Sequence, residues 1–85
     1  LRLMQNVPNP AEGNTVINFF LPKSCEVTLE VLDITGKQVI VLANGYVPAG
    51  EHSAMFSTSS IAKGVYIYRL RAGNESVTKS MVIVK

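Results

Sequence analysis

His52 and Cys25 are the only histidine and the only cysteine in the chain, and between them they bound most of the acid–base, nucleophilic and metal chemistry it could carry. A serine nucleophile needs a base beside it. No serine stands in a Gly-x-Ser-x-Gly elbow, and the run Ser57-Thr58-Ser59-Ser60 has the composition of a loop and helix cap. His52 follows Gly50-Glu51 at the start of a strand pattern, where an exposed turn residue is the ordinary occupant. A zinc site needs at least three protein ligands, so Cys25 and His52 leave it short. A lone cysteine forms no intrachain disulfide; it could be a reactive thiol, a ligand or an intermolecular bridge, and Cys25 is expected as a plain packed or half-exposed side chain.

The carboxylates offer little more. Glu26 and Glu30 alternate with Val27, Leu29 and Val31, which puts both on the water-facing side of one strand as solvating residues. A glycosidase would need a pocket between such a pair, and a domain this small has little room for one. Glu12, Asn14 and Asp33 are conceivable calcium donors but form no dense acidic loop, and glycine-rich phosphate loops are absent. Asn74-Glu75-Ser76 has the form of an N-glycosylation acceptor, and Asn74 is expected to serve a hairpin turn instead. The chain is therefore expected not to be an enzyme, with no catalytic residue, metal or cofactor.

Composition narrows the partners. Eight Lys and Arg against six Asp and Glu give +2, and the basic residues are scattered from Arg2 to Lys85. A nucleic-acid binder wants a basic stripe and stacking aromatics, so no nucleic-acid partner is expected. The longest apolar run, Val39 to Ala43, is far short of the roughly 20 residues a spanning helix needs. No charged and then apolar leader opens the chain at Leu1, and a start without Met suggests a fragment of a longer protein. At 47% hydrophobic and 16% charged, residues 1–85 fit one small globular domain burying roughly 63% of its unfolded surface.

Short strands must position all of this. Period-two alternation runs through Glu26 to Val31 and recurs at Leu1 to Asn6, Thr15 to Leu21, Lys37 to Leu42, Glu51 to Phe56, Val65 to Arg71 and Glu75 to Val84. Asp33-Ile34-Thr35-Gly36 predicts a type I turn with a following bulge. Val47-Pro48-Ala49-Gly50 predicts a turn around Pro48, and Ala72-Gly73-Asn74-Glu75 a tight hairpin. Pro8 and Pro10 bracket Asn9 and belong in a loop or at a sheet edge. Ser57 to Lys63 could form one helical turn that buries Ile61. With no sustained helical period, the chain reads as an all-β, immunoglobulin-like antiparallel β-sandwich of about seven strands.

Three islands carry a resemblance. The first is Gln5-Asn6-Val7-Pro8-Asn9-Pro10, followed by Thr15-Val16-Ile17; the second is Val27-Thr28-Leu29-Glu30-Val31 with Asp33 and Thr35-Gly36-Lys37. The third runs from Ile61-Ala62-Lys63-Gly64-Val65-Tyr66-Ile67-Tyr68-Arg69 to a last strand ending Lys79-Ser80-Met81-Val82-Ile83-Val84-Lys85. In this order and spacing the chain resembles the type A C-terminal sorting domain of the type IX secretion system of Bacteroidetes, over essentially its whole length. It departs from the family pattern at Ala11, where Phe is frequent, and at Ser80, where a second basic residue is frequent. An immunoglobulin-like module of the flagellar hook-capping kind looks similar too.

The resemblance implies a non-catalytic secretion signal, recognised by outer-membrane export machinery and then removed from an upstream cargo domain by a C-terminal signal peptidase. It implies a protein secreted or held at the cell surface after passing the periplasm. The alternative is an accessory immunoglobulin-like module, structural or carbohydrate- or protein-binding, attached to a larger enzyme or adhesin. Candidate recognition residues are Pro8, Asn9, Pro10, Gly64, Tyr66, Lys79 and Lys85. Pro8 and Pro10 hold the chain extended where it enters the domain. Gly64 lets it turn, and Tyr66 sits where sandwich folds place a corner tyrosine whose hydroxyl satisfies a loop backbone group.

Three further expectations concern packing. Tyr66, Tyr68 and Leu70 share a face, with Tyr66 and Leu70 largely buried and Arg69 and Arg71 pointing to solvent opposite. Met81-Val82-Ile83-Val84 is apolar at every position, so the last strand is expected to be covered on both sides. Exposed strand edges make self-association possible.

Overall fold

The computed structural model describes residues 1–84. In chain order they form β1 (Arg2–Leu3), β2 (Asn14–Leu21), β3 (Cys25–Leu32), β4 (Gln38–Val47), β5 (Gly50–Ser57), a 3-10 turn (Thr58–Ser60), β6 (Gly64–Ala72) and β7 (Glu75–Ile83). The strands make two antiparallel sheets, β1-β2-β5 and β4-β3-β6-β7. This is the all-β sandwich read from the sequence.

Alternation decides which side of each strand faces inward. Thr15, Ile17, Phe19 and Leu21 of β2 and Val27, Leu29 and Val31 of β3 are buried, and they meet Phe56, Tyr68, Leu70, Met81 and Ile83 from the other strands. Two half-apolar sheets gain most by closing these faces on one another. The turns follow their residues. Gly36 N donates to Asp33 O at 2.9 Å, Asp33 Oδ1 accepts from Thr35 N and Lys37 N at 2.9 and 3.0 Å, and Gly36 takes φ +90°. Asp33 Oδ1 also accepts from Thr35 Oγ1 at 2.5 Å, and this bond, with those from the Lys37 and Thr35 backbone, holds the Asp33 carboxyl below its usual pKa. Gly73, at φ +62°, opens the two-residue β6–β7 hairpin, where a left-handed first residue matches strand twist.

Several expectations need correction. The last strand is not covered twice: Met81 and Ile83 are buried at 0% and 1% exposure, while Val82 and Val84 stand at 36% and 43%. Alternation survives because the outer face of this antiparallel sheet is open to water, and Val82 shares that exposed face with Val65, its cross-strand partner on β6. Tyr66 and Tyr68 do share a face with Leu70, but Tyr66 is only half-buried and Tyr68 is the fully buried ring. Tyr66 lies nearer the sheet's end, with its hydroxyl donating to Ala62 O at 2.7 Å, which is the loop-satisfying bond expected of it. The turn at Thr58–Ser60 buries Thr58, whose Oγ1 and N both bond Gly13 O, and leaves Ile61 half-buried. The first strand is regular over Arg2–Leu3 alone, and β4 runs on to Val47.

Glu30 is the largest departure. It faces away from the core, as does Glu26, yet only Glu26 is exposed; the Glu30 side chain is 2% exposed. Arg69 Nε and Arg71 Nε approach its Oε2 at 3.0 and 3.3 Å, and Gln38 Nε2 donates to Oε1 at 2.8 Å. Both arginines stay on the outer face, as expected, Arg71 exposed and Arg69 half-buried, and reach across the sheet to this carboxylate. Register shifts between Leu29 and Glu30 and between Val31 and Leu32 bend this part of the sheet, as β-bulges do.

Candidate recognition site: a latch on the last strand

Two segments more than 70 residues apart in sequence meet at the outer edge of β7. Beyond β1 the chain keeps contact with β2 through Met4 N to Asn18 O and a reciprocal pair of bonds between Val7 and Val16. It then leaves the three-stranded sheet and crosses to the four-stranded one. There Ala11 N donates to Val82 O at 2.7 Å and Val84 N donates to Ala11 O at 2.9 Å, a parallel bridge centred on Ile83. Asn9 Oδ1 accepts from Val82 N at 3.0 Å, and Gln5 Nε2 donates to Ser80 O at 2.7 Å. Residues 5–11 thus form a latch over the end of β7, and Ala11 beneath it is fully buried.

The Pro-Asn-Pro order suits this crossing. Proline donates no backbone hydrogen bond, so Pro8 and Pro10 do not compete for the edge, and the one side chain between them supplies the acceptor that Val82 N needs. The peptide bonds before Pro8 and Pro10 are both cis.

A buried polar network holds the latch from behind. The Tyr68 hydroxyl donates to Met4 O at 2.7 Å and accepts from Asn6 N at 2.9 Å. Asn6 Nδ2 donates to Pro8 O and to Thr15 Oγ1, both at 3.1 Å, and its Oδ1 accepts from Gln5 Nε2 at 2.7 Å. Thr15 Oγ1 completes the loop by donating to Pro8 O at 2.9 Å. Tyr68, Asn6 and Thr15 are each at most 1% exposed, and among the described residues no buried side-chain polar atom lacks a partner. A satisfied network in a low-dielectric interior fixes one geometry, because leaving any member unpaired costs its desolvation. Burial raises the Tyr68 phenol above its usual pKa, against a smaller opposing pull from the Asn6 backbone bond.

The sequence-predicted residues fall around this latch. Pro8, Asn9 and Pro10 are exposed on it. Gly64 pairs with Ile83 and Tyr66 with Met81 on the opposite side of β7, and Lys79 pairs with Tyr68. Lys79 therefore points to the core-facing side with Met81 and Ile83 and is half-buried, its stem along apolar surface as long cations lie. Lys85 lies outside the described residues. Sequence reasoning missed Asn6, Thr15 and the hydroxyl role of Tyr68. The available signal was a polar residue, Thr15, on the inward side of an otherwise apolar strand.

Chemically, this assembly can hold backbone in place and present a surface. Among the described residues no three of His, Cys, Asp and Glu come together to hold a metal ion. His52 lies 5.5 Å from Phe19, centroid to centroid and tilted by 31°, with Nε2 2.7 Å from Pro48 O. At Glu30, burial alone would raise the carboxyl; bonds from Gln38 and Arg69 and the charges of Arg69 and Arg71 outweigh it and hold the pKa below the usual carboxylate range.

A family model described as the secretion system C-terminal sorting domain matches residues 7–84. The match spans both halves of the latch, from Val7 to the end of β7, and no curated protein matches the chain. Domains of this family are sorting signals, a non-catalytic class. The chain belongs to the C-terminal sorting domains of the type IX secretion system, whose role is to direct export to the cell surface or beyond.

Proposed function

We propose that residues 1–85 form one C-terminal sorting domain of a longer secreted protein, and that the export machinery reads the latched end of β7. The observation that carries this is the family match over residues 7–84, which includes Pro8, Asn9 and Pro10 together with the strand end they hold. In this reading Asn9 and the two prolines fix the strand in the docked position, and Gly64 and Tyr66 fix its inner partner. Lys79 and Lys85 supply charge for recognition. The cargo reaches the outer membrane through the periplasm, and a C-terminal signal peptidase removes the domain after export.

A passenger protein carrying residues 1–85 at its C-terminus, expressed in a type IX-competent host, tests the reading. Export of the fused passenger, and periplasmic retention of the parent lacking residues 1–85, are expected; undiminished export of the truncated parent sinks it. Lys79→Gln with Lys85→Gln then isolates the charge. A folded double variant exported as wild type removes the lysines from recognition and leaves the latch.

A further inference from the structure

The four-stranded sheet has two outer edges, and they differ in kind. On β7 the latch already occupies the end, and the strand carries Glu75 and Lys79. On β4 the backbone groups away from β3 meet no strand among the described residues. All ten residues of that strand, Gln38 to Val47, are uncharged. Natural sheets blunt long edges with charges, proline or bulges. Here the bulges lie against Gln38 to Leu42, whereas Ala43 to Val47 pair with Leu29 to Cys25 in unbroken register. That regular stretch ends beside Tyr46, one of the most exposed large hydrophobic residues at 69%.

From this edge we infer that the chain self-associates, a second copy adding its own β4 antiparallel along Ala43–Val47 to make one continuous eight-stranded sheet. An unpaired row of N–H and C=O groups is matched by another extended backbone. The choice of a second copy rests on charge. In a two-fold pair each edge residue meets residues of the same strand, and like charges directly opposite destabilise such pairs. An uncharged strand avoids that in every register, whereas β1 carries Arg2, β5 carries Glu51 and β7 carries Glu75 and Lys79. Pairing centred on Gly45 sets Tyr46 across from Asn44 of the second copy, both on the outer face with Glu26 and Thr28 of their own sheets.

Sedimentation of the 85-residue chain, with reductant present so that Cys25 forms no interchain disulfide, tests the inference. As concentration rises from roughly 10 μM to roughly 1 mM, a range suited to a weak pair, the mass is expected to climb from 9.2 kDa toward twice that value. Amide exchange at Ala43–Val47 should slow over the same range, with Ser76–Ser80 unchanged. Tyr46→Lys, and Asn44→Lys combined with Tyr46→Lys, should hold the chain monomeric, while Thr78→Lys on the other edge should leave the dimer intact. A monomer throughout, or a dimer that persists in the double variant, overturns the inference. If a variant fails to fold, the exchange pattern of the unsubstituted chain decides alone: concentration-dependent slowing at Ala43–Val47 supports the pair, and its absence overturns it.

Discussion

The two edges of the four-stranded sheet show two ways in which one small domain treats unpaired backbone. At β7 the sequence spends a buried network, Tyr68, Asn6 and Thr15, on bringing residues 5–11 across from the other sheet to occupy the edge. At β4 no strand among the described residues crosses, and an uncharged ten-residue strand has no strand partner on its outer side. The difference teaches that the latch is a specific investment in the C-terminal strand rather than a general remedy for exposed edges. On the proposed reading, in which the export machinery reads the end of β7, the investment has a physical reason, since a strand that frays presents no fixed surface.

Removing the ring that holds the latch should have the largest effect. Tyr68→Ala deletes a fully buried side chain and unpairs Met4 O and Asn6 N, so a loss of about 3–5 kcal/mol is expected. Chemical denaturation measures it, and a midpoint near that of wild type breaks the assignment of Tyr68 as the centre of the network. Tyr68→Phe keeps the ring and removes only the hydroxyl, which should cost about 1–3 kcal/mol for the two groups left without a partner. High pH acts in the same direction. The folded phenol has its pKa raised, so its contribution is complete below about 10, the usual tyrosine value, and fades as pH rises toward the folded value.

Next comes the ion cluster at mid-sheet, which joins Gln38 of the bare edge strand to Arg69 and Arg71. Glu30→Ala leaves two arginines that are 35% and 51% exposed and can turn to water. A loss of about 1–2 kcal/mol is expected, below that for a fully buried pair. Because the folded carboxyl is depressed, its contribution is complete above the unfolded carboxylate pKa and disappears as pH falls through the folded one. Acid unfolding of Glu30→Ala should therefore show a weaker pH dependence than wild type in the acidic range.

The smallest effects sharpen the comparison directly. Asn9→Ala removes one exposed acceptor, and about 0.5–1.5 kcal/mol is expected, with exchange at the Val82 amide accelerating locally. A change of similar size at Tyr46→Lys would erase the contrast between edges. That substitution alters an exposed side chain on a strand with no outer partner, and it should leave monomer stability within about 0.5 kcal/mol.

Much of the fold was legible because alternation is a local property. Thr15 to Leu21 and Val27 to Val31 show in sequence which face they bury, and Gly36 and Gly73 mark turns through backbone freedom that other residues lack. The candidate site was half legible: Pro8, Asn9 and Pro10 stand out by type, and β7 by its apolar run. What joins them was hidden. A hydrogen bond from Val82 N to Asn9 Oδ1 spans 73 positions, and no local pattern encodes which edge a loop will cross to.

By itself the sequence determined strand positions, turn chemistry and, through three spaced islands, the sorting-domain family. Only the tertiary structure decided that Tyr68 rather than Tyr66 anchors the core, that Glu30 is buried beneath two arginines, and that the first and last segments lock together. The reason is range. Side-chain alternation and turn preference are set by a residue and its immediate neighbours, whereas burial of a polar group depends on partners delivered by distant strands, and becomes favourable only once all of them arrive together.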